Sequence, residues 1–157
     1  MKIQPISEGK KAPAFNLSDK DGEKHRLSAI ESEYVVLFFY PKDNTPGCTI
    51  EASSFSKDMK KFAALNTEVI GISGGDEKSK TKFCEKNKLT NLLLSDTDYA
   101  VAKKFGVYGQ KSFMGKKFLG IQRCTFVLDE KKKIIKVFDK VKPKEHAKEV
   151  LSFIRSL

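Results

Sequence analysis

The run Val35-Val36-Leu37-Phe38-Phe39-Tyr40 is apolar without a break and rich in β-branched and aromatic residues. A stretch without polar alternation predicts a strand buried on both faces. Pro41 ends it, because proline cannot donate to a sheet ladder. From Cys48 to about Leu65 the apolar positions Ala52, Phe55, Met59, Phe62 and Ala63 recur every three or four residues, which predicts one amphipathic helix. Glu68 to Ser73 reads as a second buried strand. Beyond Gly74-Gly75, Asp76 is placed to cap a second helix that reaches about Lys88. That helix is mostly charged; its apolar groups are Phe83 and Cys84, followed by Leu89. Asn91 to Leu94 is a short strand, and Tyr99 to Phe105 a helix that Gly106 can end. Val107 to Gly120 reads as a glycine-containing basic and aromatic loop. Arg123 to Leu128 and Ile134 to Phe138 are close enough in sequence to pair as an antiparallel hairpin. Pro143 opens a last helix with an apolar stripe of Ala147, Val150, Leu151 and Ile154. Near the start, Asp19-Lys20-Asp21-Gly22 is a turn between two short edge strands.

Strands alternating with helices, then a hairpin, give an α/β fold: a thioredoxin-like three-layer sandwich, with a mixed central sheet and helices on both faces. The 157 residues suit one domain, 1–157, with a core large enough to need no disulfide staple. No apolar run approaches the roughly 18 residues of a membrane span. The start, Met1 to Pro5, lacks the apolar stretch of a secretory signal. Three widely spaced cysteines fit a reducing compartment, so the expected location is the cytoplasm. The net charge of +10 admits a basic face for nucleic acid or an acidic partner. Its lysines are scattered, however, and the longest pure run is Lys131-Lys132-Lys133, which reads as a solvated surface.

Chemistry concentrates between Tyr40 and Glu51. Cys48 stands where a buried strand has ended and an amphipathic helix begins. The first-turn N–H groups of a helix lack internal partners, and with the macrodipole they favour an anion. The thiolate is the nucleophilic form of cysteine. Thr45, three residues earlier, can aim a hydroxyl at the same spot, as donor or acceptor. Pro41 and Pro46 restrict the loop and shield the sulfur. The bland alternative for Cys48 is a small buried residue at a helix start.

Pro-x-x-x-Thr-x-x-Cys after an apolar strand, here Pro41, Thr45 and Cys48 with Glu51 one turn on, resembles the active-site motif of the peroxiredoxins. The fuller string from Phe39 to Thr49 is similar to the bacterioferritin-comigratory, or Q-type, subfamily. Ala12-Pro13-Ala14-Phe15 with Gly22, Gly71-Ile72-Ser73, Phe83, Leu94-Ser95-Asp96, Lys111 through Gly120 and Arg123-x-Thr125-Phe126-Val127-x-Asp129 extend the likeness. It runs from about residue 8 to the C-terminus. The resemblance implies a thiol peroxidase. Cys48 would attack the terminal peroxide oxygen and become a sulfenic acid. Thr45 and amides near Cys48 would bind the peroxide. Arg123 would favour the thiolate and hold charge developing on the breaking O–O bond, with Glu51 bracing the guanidinium. Taken alone, Arg123 is a strand arginine reaching the surface, and Glu51 a first-turn acid.

Many subfamily members carry a resolving cysteine five residues after the first; here that position is Ser53. Other members carry it on the later helix, and by that resemblance Cys84 resolves the sulfenic acid. A disulfide needs Cα atoms within roughly 7 Å, so both segments would have to unwind locally. If Cys84 is inert, the chain is a one-cysteine peroxidase reduced by an external thiol. Cys124 alternates with Arg123 and reads as a core thiol. His25 and His146 lack metal-ligand spacing and read as surface residues. The expected partners are a small peroxide and a thioredoxin-like reductant, with no nucleic acid, membrane, cofactor or metal, and the chain is expected to be a monomer. The rival classes are a basic binding module with a structural Cys48, and a thiol-dependent holdase or redox sensor.

Overall fold

The fold is that of a computed structural model, which describes residues 2–157. The chain begins with β1 (Asn16–Ser18), β2 (Lys24–Arg26) and β3 (Tyr34–Phe39), then α1 (Pro46–Lys57), α2 (Met59–Ala64) and β4 (Thr67–Ser73). It continues through α3 (Glu77–Asn87), β5 (Leu92–Ser95), α4 (Ala100–Lys104), β6 (Tyr108–Phe113) and β7 (Lys116–Ile121). It closes with β8 (Cys124–Leu128), β9 (Ile134–Phe138) and α5 (Pro143–Arg155). Seven strands make one sheet in the order β2-β1-β5-β4-β3-β8-β9. The β3, β4 and β5 strands run parallel, whereas β8 is antiparallel to β3 and β9 to β8. The mixed sheet and terminal hairpin are as expected.

Strand β3 shows why the run from Val35 to Tyr40 has no polar break. Val35, Leu37 and Phe39 enter one core, and Val36, Phe38 and Tyr40 enter the other. Successive strand side chains point to opposite faces, so burial on both demands apolar residues at every position. Each such side chain contributes roughly 1.5–3 kcal/mol on leaving water. The two layers differ in content. One holds Ala52 and Phe55 of α1, Phe62 of α2, Phe83 of α3 and the α5 stripe. The other holds α4 and the N-terminal residues Ala12, Phe15 and Leu27.

Three expectations need correction. The helix from Cys48 to Leu65 is two helices, broken at Asp58 (φ −97°, ψ 7°), which ends α1 and starts α2. Aspartate favours such terminal positions over helix interiors because its short side chain competes for the backbone. The apolar stripe survives the break, with the Phe55 and Phe62 rings 5.9 Å apart. Most of the expected loop over 107–120 is a two-stranded ribbon, β6 paired with β7, turning at Met114 and Gly115 with φ of 51° and 80°. Both central residues at positive φ make the tight turn that suits a twisted hairpin. Lysines and apolar groups occupy both faces of this ribbon, so no inside–outside alternation marks it. Finally, His146 is buried at 1% exposure and His25 is half-buried, so neither is a free surface residue. His146 adjoins the α5 stripe and is enclosed edge-on by Phe55 and Phe138.

Candidate active site

The end of β3 positions the site. Phe39 pairs with Cys124, the first residue of β8, so Arg123 stands beside the point where β3 gives way to Tyr40 and the loop to α1. Thr45 is the extended N-cap of α1, Pro46 its first residue and Cys48 sits in its first turn. Arg123 Nη1 lies 3.3 Å from Cys48 Sγ and 3.0 Å from Glu51 Oε1. One guanidinium nitrogen therefore bridges the sulfur and the carboxyl one helical turn on. A donor so placed bonds more strongly to an anionic sulfur than to a neutral one. Gly47 makes room for it: a Cβ there would come within 2.9 Å of Arg123 Nη2.

Glu51 is fully buried, and its Oε2 has no hydrogen-bond partner. Burial pushes its carboxyl up to about 7, although Arg123 pulls it down. Burial opposes the Arg123 charge too, but Cys48 and Glu51 more than compensate and raise the group above its ordinary value. The carboxyl meets the guanidinium from inside the core rather than from an exposed first turn.

Thr45 and Cys48 border the entrance to the site. Thr45 donates its hydroxyl proton to the Lys42 carbonyl at 2.9 Å, which leaves the oxygen free to accept. Cys48 is 1% exposed, deeper than the mouth of a helix suggests; solvent reaches the site at Arg123, whose side chain is 21% exposed, and at half-buried Thr45 and Gly47. Pro41 is half-buried and Pro46 exposed, at the two ends of the loop.

Cys84 lies on the buried face of α3, in the same apolar cluster as Cys48. Burial raises its thiol above the ordinary range. All three cysteines are free. Cys124 lies in the opposite core, and burial pushes its thiol up to about 12. Such a thiol stays protonated and inert.

Two groups near the site escaped the sequence reading. His146 Nε2 is 2.7 Å from Thr125 Oγ1, and Thr125 follows Arg123 by two positions in sequence. Burial lowers the His146 pKa, so the ring is held neutral. Lys80, fully buried, meets Asp43 of the active-site loop at 3.0 Å. A signal for Lys80 existed: it precedes Phe83 and Cys84 by three and four residues, which places all three on one helix face. Among the described residues, one trio (Asp19, Glu23 and His25) gathers potential metal ligands. Asp19 already accepts the Asp21 and Glu23 N–H groups and meets His25 at 2.8 Å, so it is bonded as a turn and ion pair.

Residues 8–137 match the model of the AhpC/TSA family. Peroxiredoxin Bcp of Escherichia coli K12 is 40% identical over 153 residues, covering 98% of each chain. The chain belongs to the AhpC/TSA family, among the Bcp-type peroxiredoxins. Solved structures of such peroxiredoxins share the fold. Peroxidoxin BcpB of Mycobacterium tuberculosis superposes with a TM-score of 0.85 at 36% identity, over 97% of this chain and 98% of its own. The bacterioferritin comigratory protein of Xanthomonas campestris gives 0.84 at 34%, over 90% of each. The sandwich is thus thioredoxin-like, and the peroxiredoxin is a thiol-dependent peroxidase with a peroxide substrate and a thioredoxin-type reductant.

Proposed function

We propose that this peroxiredoxin reduces hydrogen peroxide and organic hydroperoxides at Cys48, and that Cys84 resolves the product as an intramolecular disulfide. The observation that carries the first half is the Arg123 nitrogen shared between Cys48 Sγ and Glu51 Oε1. The sulfur attacks the terminal peroxide oxygen, the O–O bond breaks, and the departing oxygen takes a proton and leaves as water or an alcohol. Arg123 then stabilises charge on the departing oxygen, and Thr45 Oγ accepts a hydrogen bond from the incoming hydroperoxide. A peroxide is small enough to enter between Thr45 and Arg123, where the site meets solvent. The Xanthomonas relative is described as active in alkyl peroxide reduction, which supports organic hydroperoxides as substrates here.

In the second half, the Cys84 sulfur attacks the Cys48 sulfenic sulfur. An S–S bond forms, the S–OH bond breaks, and hydroxide leaves as water with the thiol proton. A thioredoxin-like dithiol then reduces the disulfide. Three free thiols suit the reducing cytoplasm, and the proposed active form is a monomer without a nucleic-acid partner. A second reading has one support: Cys84 is buried and its thiol raised, as in an inert cysteine. In that case an external thiol reduces Cys48 directly.

Intact-mass analysis after one equivalent of peroxide separates the two. The wild-type chain is expected to lose two hydrogens, and Cys84→Ser to gain one oxygen instead. A two-hydrogen loss that persists in Cys84→Ser refutes the pairing.

A further inference from the structure

Helix α3 buries three side chains, Lys80, Phe83 and Cys84, and one of them is charged. The Lys80 ammonium is filled on every side. It donates to Asp43 Oδ2 at 3.0 Å and Oδ1 at 3.2 Å, to Ser73 Oγ at 2.6 Å and to the Gly75 carbonyl at 3.2 Å. Asp43 is filled as well, by the Tyr40 hydroxyl at 2.6 Å and the Ser79 hydroxyl at 2.6 Å, with Ser73 Oγ at 3.4 Å. Lys80 and Asp43 are 0% and 2% exposed at their side chains. The cluster joins the end of β3, the loop leading to Cys48, the end of β4 and the start of α3. Gly75 is part of its design, because a Cβ there would collide with Asp43 Oδ2 and crowd the Ser79 side chain.

We propose that the Lys80–Asp43 ion pair is a latch that fastens the helix carrying Cys84 to the loop carrying Cys48, so that its release sets the rate of disulfide formation. This rests on the reading of Cys84 as the resolving residue. Lys80 is a positioning residue: it touches no peroxide and acts through the helix whose next turn carries Cys84. Few apolar groups on α3 oppose its lifting, which leaves the ion pair as a principal tie. Well-packed apolar side chains would hold such a helix at least as firmly as a buried ion pair. An ion pair differs in how it lets go. Water re-solvates both charges once the helix moves, and the pair re-forms in one register when it returns.

The test follows two steps separately in rapid-mixing experiments on the full chain: oxidation of Cys48, and disulfide formation read by quenched intact mass. Lys80→Met should speed disulfide formation about tenfold, the effect of losing one coupled contact. Oxidation of Cys48 should change little. The fraction of Cys48 driven to sulfinic acid by excess peroxide should fall. Gly75→Ala, whose Cβ would crowd both Asp43 and the Ser79 side chain of α3 and so break the same cluster with Lys80 kept, should do the same and decides the matter if Lys80→Met does not fold. Ile134→Ala, in the opposite core, should lower Tm without speeding the disulfide. An unchanged or slower disulfide step in Lys80→Met and Gly75→Ala overturns the latch. Equal acceleration in Ile134→Ala also overturns it, since general loosening would then explain the effect. Absence of any disulfide in the wild-type chain overturns the reading of Cys84 instead, and the latch with it.

Discussion

The two helices that carry Cys48 and Cys84 bury their thiols in the same apolar cluster, yet they are built differently. Helix α1 buries Cys48, Glu51, Ala52 and Phe55, and it packs closely against α5. Its cysteine sits at the N-terminus, with a guanidinium 3.3 Å away. Helix α3 buries two uncharged side chains and a lysine, and its cysteine lies mid-helix, where burial raises the thiol. One sulfur is held in a polar frame at a fixed place. The other is stored in neutral form on a helix held by two uncharged side chains and one buried ion pair. On the proposed roles of the two thiols, the contrast teaches that attack and resolution are separated by how firmly each thiol's helix is anchored, not only by where the thiols lie.

If the contrast is right, the largest effect belongs to the fixed sulfur. Cys48→Ser should abolish peroxide consumption supported by a dithiol, with far-UV circular dichroism unchanged; residual turnover would move the chemistry to another cysteine. Next comes the frame. Arg123→Ala should slow peroxide attack by about 100-fold, the usual cost of one donor to a developing oxyanion, as measured by competition for hydrogen peroxide. An unchanged rate would remove the guanidinium from the reaction.

A smaller effect concerns pH. Burial holds Glu51 at about 7 in the fold, above its ordinary 4.5. A raised folded-state value favours folding most fully below the unfolded value and loses that contribution as pH rises. Thermal stability should therefore fall between about pH 4.5 and pH 7 through this carboxyl, and Glu51→Gln should flatten the fall. A Tm profile identical in both chains would place the source elsewhere. The smallest effect is at the third cysteine. Cys124→Ala should cost on the order of 1 kcal/mol in denaturant unfolding and leave turnover intact. A loss of turnover there would break the proposed division into two working thiols and one core thiol.

How much of this was legible in the chain depends on how local each signal is. Strand β3 announces itself, because burial on both faces leaves no polar residue between Val35 and Tyr40. The loop, the helix start and Cys48 lie within a dozen residues, so their order alone places a sulfur at a helix N-terminus. The β6–β7 ribbon was hidden because no face of it is consistently buried. His146 was hidden because its enclosing partners, Phe55, Thr125 and Phe138, come from three distant segments.

Residue order thus indicates most of the strands and helices, the place of Cys48 at a helix start and the family resemblance, since each depends on neighbours a few positions apart. Arg123 could be assigned to Cys48 by likeness, but its 3.3 Å contact, 75 residues away in sequence, exists because β8 pairs with β3. The depth of Cys48, the burial of Glu51 and the Lys80–Asp43 pair likewise arise where separate segments converge. Electrostatics and solvent exclusion depend on distance in space, and the packed fold sets those distances.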